Sequence, residues 1–251
     1  MLEIAHLGVR FGGLLALEDF CLTVPVGGLY GLIGPNGAGK TTVFNVVSGF
    51  LQPASGTVIF RGQNLQGLPP HARTALGMAR TFQNIRLFGD LTVLENVMVG
   101  FHCRSRAAWW EAVLRLPRYG REEKRRQLRA WELLEEVGLR EVAWEPAGQL
   151  PYGHQRRLEI ARALATGPRL LLLDEPAAGL NPQETLELLQ FLKQIQEHHQ
   201  LTMLVIEHNL RLVMELCEHL TVLDHGLTIA QGPPAEVRQD PQVIRAYLGK
   251  Q

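Results

Sequence analysis

Apolar positions change period several times along the chain, and each change marks an element. Leu2 to Val9 and Phe20 to Val24 read as short strands, with Phe11-Gly12-Gly13 between them as a turn. Pro25 to Gly28 forms another turn, and Leu29-Tyr30-Gly31-Leu32-Ile33 then reads as a buried strand. From Lys40 to Ser48 the period becomes helical, with Val43, Phe44 and Val47 on one face and Gly49 placed as a C-terminal stop. Pro53-Ala54-Ser55-Gly56 is loop, and Thr57-Val58-Ile59-Phe60 is a β-branched strand. Leu68-Pro69-Pro70 breaks the pattern ahead of a short helix from His71 to Leu76, and Met78 to Phe82 reads as a further strand.

The middle of the chain is different. From Thr92 to about Gly138 strand signals are lacking. Leu94, Val97 and Met98 fit one helical face, as do Leu128, Trp131, Leu134 and Val137. After Gly153 the strand-helix rhythm resumes. A helix is expected from His154 to Thr166, ending at Gly167-Pro168. Leu170-Leu171-Leu172-Leu173 is continuously apolar, as in a strand covered on both faces. Glu184 to Gln196 is an amphipathic helix, Leu201 to Ile206 a buried strand, and Leu210 to Leu216 a helix. Leu220 to Leu223 and Leu227 to Ala230 form a hairpin around Asp224-His225-Gly226, and Pro234 to Arg238 and Pro241 to Leu248 are short terminal helices.

Composition adds boundaries to this picture. A chain of 251 residues holds one large domain, or a domain with a subdomain. Lys plus Arg (25) equals Asp plus Glu (25), so no global field attracts nucleic acid or a membrane. The three cysteines, Cys21, Cys103 and Cys217, are widely spaced and suggest reduced thiols in a cytosolic protein. Leu2-Glu3-Ile4-Ala5-His6 lacks the basic start and apolar core of a signal peptide. No apolar run approaches the ~18 residues of a membrane span, so any membrane role is expected to come through a partner. One local bias remains. Between Arg104 and Arg129 nine basic residues face three acidic ones, Glu111, Glu122 and Glu123. Such a run is either a solvated helix face or a contact for lipid headgroups or an acidic partner, with Trp109-Trp110 at that surface or in the core.

The chemistry lies in three places. Gly34-Pro35-Asn36-Gly37-Ala38-Gly39-Lys40-Thr41-Thr42 fits the phosphate-cradling pattern G-x-x-x-x-G-K-[ST], the P-loop, and sits between a strand and a helix as that pattern requires. Its glycines let successive N–H groups turn inward on phosphate oxygens, and the following helix presents its positive end to the same anion. Lys40 adds a mobile charge near the β and γ phosphates, and the Thr41 hydroxyl is a hard ligand suited to Mg²⁺. About 130 residues on, Asp174-Glu175 ends the apolar strand, where open parallel sheets bind their ligands. Asp174 is expected at the Mg²⁺, and Glu175, pointing elsewhere, at an attacking water. His208 ends the next apolar strand and is expected near the γ-phosphate, although a lone histidine can also be a simple cap.

These residues together resemble the ATP-binding cassette (ABC) ATPase family, over essentially the whole chain. The most specific mark is Leu150-Pro151-Tyr152-Gly153-His154-Gln155-Arg156-Arg157-Leu158-Glu159-Ile160-Ala161-Arg162-Ala163-Leu164, which is similar to the family's signature helix. The resemblance implies two cassettes stacked head to tail, the signature of one closing over ATP on the P-loop of the other. It implies that Gln83 is the Q-loop glutamine, sensing Mg²⁺ and the transmembrane partner. It implies that Phe11 stacks on adenine, that Ala177-Ala178-Gly179-Leu180-Asn181 is the D-loop, and that His208 is the switch histidine. The segment from Gly77 to Phe88, the Tyr152-Gly153 signature and the tail from Asp240 to Gly249 resemble the ATPase subunits of bacterial branched-chain amino-acid importers, the larger of the two in particular.

The expectations are then concrete. The fold is α/β, a P-loop (RecA-like) ABC ATPase core with an antiparallel β subdomain and an inserted α-helical subdomain, the core being residues 1–91 and 168–251 and the insertion 92–167. ATP and Mg²⁺ are the implied cofactors. Phe11, Gly34 through Thr42, Gln83, Tyr152, Gly153 and Asn181 are expected to hold nucleotide, with Thr41, Gln83 and Asp174 at the metal and Glu175, His208 and Lys40 catalytic. The implied partners are a second ABC ATPase subunit, two permease subunits and, indirectly, a periplasmic or extracellular solute-binding protein, at the cytoplasmic face of the inner membrane and without nucleic acid. Other permeases (for urea, short amides or lipid export), a soluble non-transport cassette, and a cassette that binds ATP without turnover remain competing readings. Two departures stand out. Most members carry serine where this chain has Pro151 and glutamine where it has His154. Proline has no hydroxyl or N–H for a phosphate, and one lost donor costs on the order of 3 kcal/mol of transition-state stabilisation. A heterodimer with unequal sites would accommodate that loss.

Overall fold

The computed structural model describes residues 1–104, 117–208 and 210–248; Trp109 and Trp110 lie outside the described residues. The chain divides into two compact units, Met1–Gln83 with Arg169–Gln251, and Asn84–Pro168.

The first unit contains both sheets. β1 (Leu2–Phe11), β2 (Leu14–Val24), β4 (Ser55–Phe60) and β5 (Gln63–Asn64) form an antiparallel sheet in the order β2-β1-β4-β5, and β3 (Leu29–Ile33) joins the other sheet. There β6 (Met78–Arg80), β7 (Leu170–Asp174), β8 (Thr202–Ile206), β9 (His219–Asp224) and β10 (Leu227–Gly232) complete the order β10-β9-β3-β8-β7-β6, parallel except for the β9-β10 hairpin. Every residue of β7 and β8 is buried, which explains their continuous apolar sequences. Leu2, Leu7, Leu17, Phe20, Phe44, Phe60 and Leu32 belong to one core shared by the two sheets and the helix Lys40–Ser48.

Several expected elements are redrawn. β1 and β2 are longer than their alternation suggests, running to the Phe11–Leu14 pair so that only Gly12 and Gly13 form the turn. The alternation is interrupted because His6 (φ 53°) and Asp19 (φ 50°) adopt left-handed backbone at register shifts, and a bulge reverses which face the next residues occupy. β5 carries no apolar signal, since Gln63 and Asn64 are both exposed. β6 ends at Arg80, where the chain leaves the ladder and Thr81 N donates to Leu172 O (3.0 Å).

The second unit is helical among its described residues: Val93–Phe101, Pro117–Glu136 and Tyr152–Ala165. Thr92 and Glu95 close a capping box at the first helix. Gly100 packs so tightly that a Cβ there would lie 2.4 Å from Arg162 O. Leu128, expected on the buried face of the second helix, is instead exposed. The buried stripe is Arg126, Ala130, Leu133 and Leu134, and Leu128 stands two residues, about 200°, around from Arg126. Within the basic run Arg126 is turned inward and paired with Glu122, while Arg121, Lys124, Arg125 and Arg129 are exposed.

Candidate functional site

β3 lies between β9 and β8, and the glycine-rich loop leaves its C-terminal end. Gly34 (φ 147°), Gly37 (φ 81°) and Gly39 (φ 107°) all adopt backbone that side chains disfavour. Space closes the same argument at Gly34, where a Cβ would lie 2.0 Å from Leu223 O, and at Gly39, 2.8 Å from Ala16 O. Ala38 is buried, Pro35 half-buried, and Asn36 and Gly37 are exposed. Lys40, Thr41 and Thr42 then open the helix Lys40–Ser48, so its unpaired N–H groups face the loop.

Lys40 is buried, and its Nζ donates to the carbonyls of Gly34 (2.8 Å) and Pro35 (2.9 Å). Burial pulls its ammonium below the usual lysine range, while the nearby Glu175 and Asp174 carboxylates oppose that pull. The P-loop lysine and the strand-end carboxylates therefore share one site. Asp174, at the end of β7, is buried, and its Oδ2 accepts from Arg80 Nη2 (2.8 Å). Glu175 follows with φ 45°, a left-handed backbone that non-glycine residues rarely adopt, and its carboxylate has different partners from that of Asp174. Its N–H donates to Ile206 O (2.9 Å). Its Oε2 accepts from Gln83 Nε2 (2.9 Å) and lies 3.6 Å from His208 Nδ1. His208 is half exposed at the end of β8.

Two residues that sequence reasoning missed organise this site. Glu207, fully buried, accepts from Ala177 N (2.8 Å) and His208 N (3.2 Å), so one carboxylate fixes both the segment after Glu175 and the backbone of His208. A glutamate directly after five strand residues was the available signal. Arg80 is the other, and nothing in its local sequence announced a partner on another strand.

The remaining expected residues are placed as follows. Phe11 ends β1 with its ring half exposed. Asn181 is the N-cap of the helix Pro182–His199, accepting from Glu184 N (2.9 Å) in a capping box, which gives it a structural task. Tyr152 and Gly153 belong to the second unit, on the first turn of the helix Tyr152–Ala165, and Tyr152 is exposed. Pro151 is the N-cap of that helix and makes no side-chain cap bond. Further along it, buried Arg156 and Glu159 pair at 2.8 Å.

The donor set suits a magnesium-nucleotide. A ring of amides at the helix start and a buried lysine match phosphate. The Thr41 hydroxyl, the Asp174 carboxylate and the Gln83 amide oxygen are hard oxygen donors of the kind Mg²⁺ takes.

The sequence family described as "ABC transporter" matches residues 17–178. A second, described as "Branched-chain amino acid ATP-binding cassette transporter", matches residues 228–251. The chain is 46% identical over 250 residues to the high-affinity branched-chain amino acid transport ATP-binding protein BraF of Pseudomonas aeruginosa, covering 100% of this chain and 98% of that protein. It is 45% identical, with the same coverage, to the corresponding protein LivG of Escherichia coli. Among solved structures it superposes on MJ1267, an ATP-binding cassette of an ABC transporter in its ADP conformation, with TM-score 0.86, 31% identity and coverage of 100% and 99% of the two chains.

Proposed function

The chain belongs to the ABC transporter family, and from that premise we propose that it hydrolyses ATP to power an importer of branched-chain or other hydrophobic amino acids. The observation that carries the chemistry is the Glu175 carboxylate, held by Gln83 beside His208 and close to Lys40. The amino-acid assignment is supported by full-length identity to BraF and LivG, both named for branched-chain amino acid transport.

The triphosphate of ATP lies on the amides from Gly34 to Thr42, with Lys40 against its β and γ phosphates and Phe11 against adenine. Mg²⁺, held by Thr41, Asp174 and Gln83, would supply neutralisation of charge on the β and γ oxygens. Glu175 orients and polarises the attacking water. His208 hydrogen-bonds the γ-phosphate, and Lys40 stabilises the charge that develops there. A second cassette contributes its signature segment to this P-loop, as Tyr152 and Gly153 do for the partner's nucleotide, with Asn181 at the same junction. Pro151 favours a partner of different sequence, because in a heterodimer with unequal sites the partner's intact signature completes the site on this chain's P-loop.

No helix among the described residues is long and apolar enough to cross a membrane. Likeness to ATP-binding proteins of transport systems supports attachment to two permease subunits at the cytoplasmic face, with a solute-binding protein acting from the other side. The compact units change over directly after Gln83, so a residue touching Glu175 also begins the segment that leads into the helical unit. That continuity suits a relay from hydrolysis to permease.

Uptake of radiolabelled leucine by cells lacking the gene, complemented with the wild-type chain or with Glu175→Gln, tests the reading. Uptake restored by the wild type alone is the expected result. Unchanged leucine uptake on deletion, with loss of urea or lipid transport, would redirect the chain to another permease.

A further inference from the structure

We propose that Arg80 is a positioning residue for the metal-binding carboxylate, clamping Asp174 to the helix that follows the phosphate loop. The inference rests on the nucleotide-hydrolysis reading and assigns a task that none of the expected site residues performs.

Arg80 closes β6, and its side chain is almost completely buried. One arm of its guanidinium, Nη2, donates to Asp174 Oδ2 (2.8 Å). The other arm, Nη1, donates to Asn45 Oδ1 (2.8 Å) and Ser48 Oγ (2.9 Å), both on the helix Lys40–Ser48. Its Nε is buried with no hydrogen-bond partner. Aromatic rings hem in the same planar group: its central carbon lies 4.9 Å from the ring centroid of Phe82, 5.5 Å from Phe44 and 5.9 Å from Phe50. A guanidinium held by three hydrogen bonds and three rings has little freedom to turn.

Two consequences follow from that geometry. Asp174 stands on β7, and Thr41, another of the three protein oxygens suited to the metal, lies in the first turn of the helix that Arg80 grips. The fork therefore ties the two ligand-bearing elements together through one rigid group. The bond to Oδ2 also fixes the carboxylate's orientation, and among the described residues Asp174 Oδ1 accepts no protein hydrogen bond and stays open to a metal. Asp174 is buried, and the equally buried Arg80 guanidinium is the positive charge paired with it. Outer-shell groups that orient a metal-binding carboxylate in this way tune metal affinity more than they tune the rest of the site.

The test uses the full chain and measures binding, apart from turnover. Fluorescent ATP analogue is titrated with EDTA present to report the phosphate cradle. Mn²⁺ is then titrated against the analogue-saturated chain and followed by electron paramagnetic resonance. For Arg80→Gln, metal-free nucleotide affinity is expected within about twofold of wild type, while the Mn²⁺ half-saturation rises about 10–100-fold. Arg80→Lys keeps the charge but not the fork, so a smaller rise is expected. Wild-type Mn²⁺ half-saturation in a folded Arg80→Gln chain overturns the proposal, as does an equal loss of metal-free nucleotide affinity. If Arg80→Gln does not fold, Arg80→Lys decides, and unchanged Mn²⁺ binding there overturns it. Failure of the wild-type chain to bind the analogue would instead overturn the nucleotide reading.

Discussion

Gln83 Nε2 donates to Glu175 Oε2 across 2.9 Å, joining residues 92 positions apart in the sequence. The same oxygen lies 3.6 Å from His208 Nδ1, so three segments meet on one carboxylate. Glu175 is mostly shielded from solvent and its backbone is left-handed, so its direction is set by its partners as well as by its strand. Replacing it by glutamine keeps the shape and removes the basic oxygen. Glu175→Gln is expected to slow phosphate release by ~10²–10⁴-fold, with nucleotide affinity retained. Phosphate-release kinetics paired with equilibrium binding check this, and wild-type turnover would move the base elsewhere.

Gly34 is required by space as well as by dihedral angle. Its missing Cβ would lie 2.0 Å from the carbonyl oxygen of Leu223, which is backbone of β9 and cannot swing aside. Gly34→Ala is expected to cost at least about 1–3 kcal/mol and to weaken nucleotide binding. Urea unfolding and analogue titration measure the two effects; an unchanged midpoint would contradict the packing at the end of β3.

Phe20 is fully buried in the core shared by the two sheets. Phe20→Ala removes a ring that neighbours cannot replace and is expected to destabilise the first unit by about 3–5 kcal/mol. A denaturant midpoint near that of the wild type would show that β2 is not part of a common core.

Cys217 is buried, and that burial, reinforced by the Glu218 and Glu207 carboxylates, pushes its thiol up to about 12. Because the thiolate is the reactive form, Cys217 remains a protonated thiol at mildly alkaline pH. Cys21 and Cys103 are exposed. Ellman's reagent is expected to modify Cys21 and Cys103 in the native chain and Cys217 only after denaturant is added. Peptide mapping that found Cys217 labelled under native conditions would contradict its placement.

Pro151 caps the helix Tyr152–Ala165 without a side-chain bond. Pro151→Ser adds an oxygen able to accept from that helix's orphan N–H groups, stabilising it by about 0.5–2 kcal/mol. In the assembled complex the same hydroxyl is expected to raise turnover, by up to about 10²-fold if the partner's γ-phosphate lacks a donor. Thermal unfolding of the chain and ATPase assay of the complex separate these effects. Absence of any gain in turnover counts against unequal sites.

Much of this protein is determined by its sequence alone, because the relevant constraints are local. Gly34, Gly37 and Gly39 announce a backbone that other residues resist. The leucines from Leu170 to Leu173 announce a strand buried on both faces, and the polar pair Asp174-Glu175 after them has only the strand end to occupy. Those patterns suffice to put the glycine loop after β3 and the two carboxylates at the end of β7. Gln83 was assigned by family resemblance, since a lone glutamine after a short strand has no local signature.

Tertiary structure alone decided which strands are neighbours and what their ends touch. Alternation reports burial and carries no record of strand order, so the placement of β3 between β8 and β9, and of β6 beside β7, could not be read from it. With β6 beside β7, Arg80 meets Asp174 across 94 positions of sequence. Glu207 bonds Ala177 across 30 positions, for the same reason of adjacent strand ends. The bulges at His6 and Asp19 and the outward turn of Leu128 likewise depend on which face a neighbour covers. Residue types set what each group can do, and packing at a distance set which groups meet.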